Sequence, residues 1–151
     1  MDDADGTRDF KRSIVLAHSN VSEEVIGAFF HVYNQLGFGL AESVYQSAMD
    51  IALSLRAVPC AREVSLTVRF EGHVVGRYRA DLIVANCVLV ETKAVEKLTS
   101  DHEAQVYNYL KIARLRVGLL LNFGPKAQFR RLILPGKKVL PQREEAADRE
   151  V

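Results

Sequence analysis

No run of apolar residues in this chain approaches the roughly 18 to 20 needed to span a bilayer. The acidic opening Met1-Asp2-Asp3-Ala4-Asp5-Gly6 has neither the basic nor the apolar region of a secretory leader. The expectation is a cytoplasmic protein. Cysteine is scarce: Cys60 and Cys87 stand alone, with no CxxC and no paired histidines. That excludes the usual zinc spacings and makes free thiols the expected state. Neither sign of charge dominates. Lysine and arginine number 20 against 19 acidic residues, a net charge of +1, so composition does not announce a dedicated nucleic-acid binder. Internal repeats and low-complexity segments are absent. What is present, 48% hydrophobic and 26% charged residues over 151 positions, suits one globular domain with a sizeable core.

Residues 1–19 are polar and without periodicity, which predicts a disordered N-terminal segment. Asn20 with Glu23 three residues on predicts a helix start, and Val25, Phe29, Val32 and Leu36 recur on one face before Gly37 stops it. Gly37-Phe38-Gly39 breaks the chain. A second helix is expected from about Leu40 to Ala57, burying Leu40, Val44, Ala48, Ile51 and Leu55. Beyond Pro59, residues 63–70 alternate as a half-exposed strand, the Glu71-Gly72 turn follows, and 73–84 forms the next strand with His73 exposed at the hairpin edge. Thr99 or Ser100 can cap a helix reaching about Arg114, with Leu98, His102, Gln105, Tyr109 and Ile112 on one half-polar face turned to the sheet. Val117 to Phe123 reads as a buried strand and Gln128 to Leu134 as a last, shorter one. From Pro141 onward the composition is that of a mobile charged tail, which leaves 20–140 as the domain.

The stretch from Arg77 to Lys97 organises the rest. Its two β-branched runs, Leu82-Ile83-Val84 and Val88-Leu89-Val90, flank a small turn. Asp81, Glu91 and Lys93 stand where a buried sheet carries apolar residues. Glu91 and Lys93 share a face and Thr92 takes the other. A two-residue turn at Ala85-Asn86 would pair Asp81 with Val90; a three-residue loop centred on Asn86 pairs Asp81 with Glu91, and that register is the one expected here. Two buried carboxylates side by side require a positive partner. A hard divalent ion such as Mg²⁺ or Mn²⁺ suits an all-oxygen site. Lys93 beside it can hold a water or neutralise charge on a phosphate. Taken alone, such a D…ExK pattern also fits an edge-strand salt bridge.

The order helix, three strands, helix, strand, with Asp on the second strand and ExK on the third, resembles the PD-(D/E)XK nuclease superfamily. Gly39-Leu40-Ala41-Glu42-Ser43-Val44-Tyr45 is similar to the motif of the GxxExxY family within it. Tyr78 to Leu82, Glu91 to Glu96, His102 to Gln105 with Asn108 to Leu110, and Val117 to Gly124 look like its remaining blocks. The resemblance implies an α/β (α+β) fold of the restriction-endonuclease-like type, αβββαβ, with a central mixed sheet flanked by helices. It implies Asp81, Glu91 and Glu42 as metal-binding acids, with Mg²⁺ or Mn²⁺ as the ion. Lys93 becomes the catalytic lysine, and Gln105 and Tyr109 a QxxxY element beside the site. For Glu42 and Gln105 to line one cleft, their two helices must pack on one side of the sheet.

Two functions follow as expectations: a metal-dependent nuclease acting on DNA or RNA, or a catalytically latent binding module of the same fold in a larger assembly. Arg77, Arg79, Lys97 and Lys111 are the candidate nucleic-acid contacts, with Arg114, Arg116, Arg130, Arg131, Lys137 and Lys138 as further basic groups. A chain this small has no second domain to choose a sequence, so a homodimer or a partner protein is expected to supply specificity.

Overall fold

The computed structural model describes residues 3–135 and 147–150. Three helices and six strands follow one another: α1 Asp3–Leu36, α2 Glu42–Leu55, β1 Cys60–Phe70, β2 His73–Val84, β3 Val88–Lys93, α3 Ser100–Ala113, β4 Val117–Phe123, β5 Ala127–Ile133 and β6 Ala147–Glu150. The strands form one mixed sheet in the order β5-β4-β3-β2-β1-β6. β1, β2 and β3 are successive antiparallel neighbours. The crossover through α3 makes β4 parallel to β3, and β5 returns antiparallel. This is an α+β arrangement with helices on both faces, as expected of a restriction-endonuclease-like core.

Two apolar layers hold the helices to the sheet. Val25, Phe29 and Val32 of α1 and Tyr45, Met49 and Leu53 of α2 pack on Leu82, Val84, Val88, Val90, Leu119 and Leu121. On the other face Val106, Tyr109 and Leu110 of α3 pack on Val64, Leu66, Ile83, Leu89 and Leu120. Gly118 lies beneath α3, where a Cβ would stand 2.6 Å from Val106 Cγ1, so the close seating of α3 on β4 requires glycine there.

Several element boundaries differ from expectation. Helix α1 runs through Asn20 without starting there, so residues 3–19 are helical in backbone where disorder was expected. Helix α2 presents a different face: Tyr45, Met49, Ala52 and Leu53 are inside, whereas Leu40, Val44, Ile51 and Leu55 are exposed. The reason is Tyr45. Its ring stacks on Phe123 at 4.2 Å, and its hydroxyl donates to Gly37 O (2.7 Å) and accepts from Leu40 N (3.2 Å). Burying that ring turns the aliphatic stripe outward. Gly37 and Gly39, at φ 66° and 105°, make the turn it closes. Of the expected tail, Ala147–Glu150 pairs with β1, while 141–146 and 151 lie outside the described residues, as do Lys137 and Lys138.

Candidate active site

The β2–β3 hairpin sets the site. Val84 pairs with Val88, leaving the loop Ala85-Asn86-Cys87, with Ala85 and Asn86 at φ 50° and 56°. The ladder continues through Ile83↔Leu89 to Leu82↔Val90. One step further in that register Asp81 faces Glu91, the pairing expected from the three-residue loop. Here the backbone ladder gives way to side chains. Asp81 N donates to Glu91 Oε1 (2.9 Å), and Thr92 N and Thr92 Oγ1 donate to Asp81 Oδ2 at 2.8 and 2.9 Å. Each carboxylate therefore holds the backbone of the opposite strand.

The neighbouring residues explain how Asp81 reaches Thr92. Leu82 and Val84 lie in the layer under α1 and α2, yet Ala80 lies in the layer under α3 with Ile83. The alternation of β2 reverses across Asp81. In β1, Glu63 falls between the pairs Arg62↔Leu82 and Val64↔Ala80 and has φ 48°. A non-glycine residue held there costs on the order of 1 kcal/mol or more. At such a reversal a side chain points along the sheet rather than to either face, and Asp81 crosses to β3. Thr92 was expected to face away from the carboxylates. Its hydroxyl instead bonds Asp81.

Glu91 is 3% exposed. Burial, then the charge of Asp81, pushes its carboxyl up to about 8, against the pull of the Asp81 N–H and of Lys93. A cation bound by the two carboxylates would offset their burial and mutual repulsion, and carboxylate oxygens are the donors a hard divalent ion takes. The residues fit such an ion as a two-acid site. Among the described residues no group of three or more His, Cys, Asp or Glu gathers to hold a metal. Glu42 therefore does not join Asp81 and Glu91 directly.

The two helices do not pack on one side of the sheet as expected: α2 belongs to one apolar layer and α3 to the other. Of their residues, those of α3 are brought to the carboxylates. Gln105 Nε2 donates to Tyr109 Oη (3.0 Å). Burial foremost, with added effects of Glu91 and Asp81, raises the Tyr109 hydroxyl above its usual range. Glu42 stands in the first turn of α2, one turn from Tyr45, whose ring lies on Phe123 at the end of β4. That is the end of the sheet where Lys93 pairs with Asn122. His102 was expected on the face turned to the hairpin. Its Nδ1 instead accepts from Thr99 N (3.0 Å) in a capping box at the start of α3.

Asn122 is a part of the site that periodicity does not single out. It is buried, and its Oδ1 accepts from Val95 N (3.0 Å) while its Nδ2 donates to Val95 O (2.9 Å). This clamp ties the chain just after Lys93 to β4. Gly124 completes it, since a Cβ there would meet Val95 O at 2.2 Å. A polar residue inside the otherwise apolar run 117–123 was the available signal. The four expected nucleic-acid contacts are all exposed, but Lys111 lines the cleft beside α3, whereas Arg77 and Arg79 alternate with Tyr78 and so lie on the face away from α3. Lys97 stands on the loop between β3 and α3.

A sequence profile of the PD-(D/E)XK nuclease superfamily matches residues 19–132. The chain belongs to that superfamily. Nucleases of this superfamily typically use divalent metals and act on nucleic acid, which agrees with the buried pair of acids. No curated protein matches the chain. Among solved structures, the one titled "Crystal structure of SSO0001" is similar in fold, with a TM-score of 0.52 at 19% identity, over 62% of this chain and 50% of that one. The chain thus spans about half the length of that protein. In this superfamily member no described helix is long and apolar enough to cross a membrane.

Proposed function

We propose that this protein is a metal-dependent nuclease of the GxxExxY group, hydrolysing phosphodiester bonds of DNA or RNA in the cytoplasm. The observation that carries the reading is the buried Asp81–Glu91 pair, in which burial and then the charge of Asp81 push the Glu91 carboxyl up to about 8. Asp81 and Glu91 would hold Mg²⁺ or Mn²⁺, with help from the Thr92 carbonyl, and Glu42 would contribute through water. When bound, such an ion would supply polarisation of the phosphate and a water of lowered pKa. Lys93, on the face of Glu91, neutralises the charge that grows on the phosphate during attack. Gln105 orients Tyr109 and offers its amide to a phosphate oxygen. Specificity comes from a homodimer or a partner protein.

The latent-module reading is favoured by one observation: only two acids meet at the site among the described residues. A single assay separates the two. Labelled single- and double-stranded DNA and RNA are incubated with Mg²⁺, Mn²⁺ or EDTA. Cleavage that needs metal and disappears in Asp81→Asn supports the enzyme. No cleavage of any strand, with binding retained, supports the module.

A further inference from the structure

The cleft between the β1–β2 hairpin and α3 shares Gln105 and Tyr109 with the proposed site and extends beyond it, and its lining is unusual. It encloses about 550 Å³ and is lined by Tyr78, Gln105, Asn108, Tyr109 and Lys111, with Asp101 at one end. Tyr78 is 47% exposed although its partner across the ladder, Leu66, is completely buried. The ring is nonetheless held. It lies across Gly76, where a Cβ would stand 3.1 Å from Tyr78 Cε2, and its centroid is 5.8 Å from that of Tyr109 at 51°. Glycine at position 76 gives the ring a backbone floor, and Tyr109, fixed by Gln105, gives it a wall. An aromatic surface is thus fixed in place and left open.

We infer that this cleft takes an unpaired nucleobase stacked on Tyr78, so that the strand bound by this protein is single-stranded nucleic acid. The inference rests on the nuclease reading only for which bond would then be cut. Every base presents a π face, and stacking on a fixed aromatic ring is the sequence-tolerant way to bind one. The amide of Asn108 carries both donor and acceptor groups, as base edges do. Lys111 supplies the cation for a phosphate, and Asp101, near the opposite end of α3, repels one. The backbone therefore runs at the Lys111 end. A base inside a duplex has both faces already stacked and must leave the helix to enter such a cleft. Tyr78 stands three strand positions before Asp81, about 10 Å, so the linkage near the carboxylates belongs to a neighbouring nucleotide.

The chain contains no tryptophan, which makes a direct test possible. Tyr78→Trp introduces a single tryptophan, and a base stacked on its indole quenches the fluorescence. Oligothymidylate and its duplex with oligoadenylate, each about ten nucleotides long, are titrated in Ca²⁺, with anisotropy of a labelled strand followed in parallel. The expected result is quenching that tracks single-strand binding, with the duplex bound more weakly. Tyr78→Ala weakens single-strand affinity about tenfold while Tyr78→Phe stays within about twofold of wild type. Strand binding without quenching, or equal affinity of wild type and Tyr78→Ala, overturns the inference. So does preference for the duplex. The cleavage assay reads separately: quenching without cleavage in Mg²⁺ leaves the stacking site standing and removes the nuclease, whereas duplex cleavage indifferent to Tyr78 does the reverse.

Discussion

Lys93 and Thr92 are adjacent in β3 and serve the site in different ways, which two substitutions resolve. In the proposed reaction Lys93, which shares the face of Glu91, meets charge that appears only during attack, so Lys93→Ala should lower turnover about a hundredfold or more with nucleic-acid affinity nearly unchanged. Cleavage at saturating substrate, beside binding in Ca²⁺, measures the split. Unchanged turnover would remove the catalytic role. Thr92 instead fixes Asp81 through its hydroxyl. Thr92→Val keeps the shape and the backbone bond but deletes that contact, at about 1 kcal/mol. Metal affinity by calorimetry should weaken in this variant, while Thr92→Ser should retain it.

At the scale of elements, the loop after β3 is held by the Asn122 clamp rather than by strand pairing. Asn122→Leu leaves Val95 N and O without their partners in a partly buried place, which costs about 1 to 3 kcal/mol. The loss should appear in the urea midpoint, and turnover should fall further than stability alone explains, because the chain beside Lys93 loosens. Wild-type turnover in a folded Asn122→Leu protein would show that the clamp is structural only. The α1–α2 turn depends likewise on Tyr45. Tyr45→Phe keeps the stack on Phe123 and loses the two hydroxyl bonds, at about 1 kcal/mol, whereas Tyr45→Ala empties a completely buried site at about 3 to 5 kcal/mol. Thermal unfolding distinguishes them.

For the molecule as a whole, Glu91 sets a pH dependence. Its folded-state carboxyl is raised to about 8 from the usual 4.5, so the folded protein keeps a proton that the unfolded chain has released. The stability this confers is complete below the unfolded value and is lost as pH rises through the folded one. In EDTA the urea midpoint should fall between about pH 5 and about pH 8, and Glu91→Gln should flatten that slope. Mg²⁺ should recover midpoint at the alkaline end for wild type but not for Glu91→Gln. A wild-type slope that survives the substitution would assign it to another group. The near balance of charge, +1 over the chain, also limits non-specific binding. Affinity for a strand should depend on salt through few phosphate contacts, and Lys111→Ala should lower that dependence by about one.

Local features were legible in the sequence because they follow from chain geometry alone. The strand limits 73–84 and 117–123, the three-residue loop at Asn86 and the Asp81–Glu91 register come from alternation and turn chemistry, and the structure repeats them. The glycine turn before α2 belongs with these. Which side of α2 goes inward was not legible, because two stripes were apolar enough and only the fit of Tyr45 against Phe123 chose between them. The reversal at Asp81 and Glu63 was equally hidden, since it departs from the periodicity by which strands are read. Desolvation, too, belongs to what covers a group rather than to the group. The identity of Glu91 was written in the chain, but its high pKa came only when α3 closed over β3, and the Tyr78–Tyr109 contact only when a helix and a hairpin distant in sequence met across the same face of the sheet.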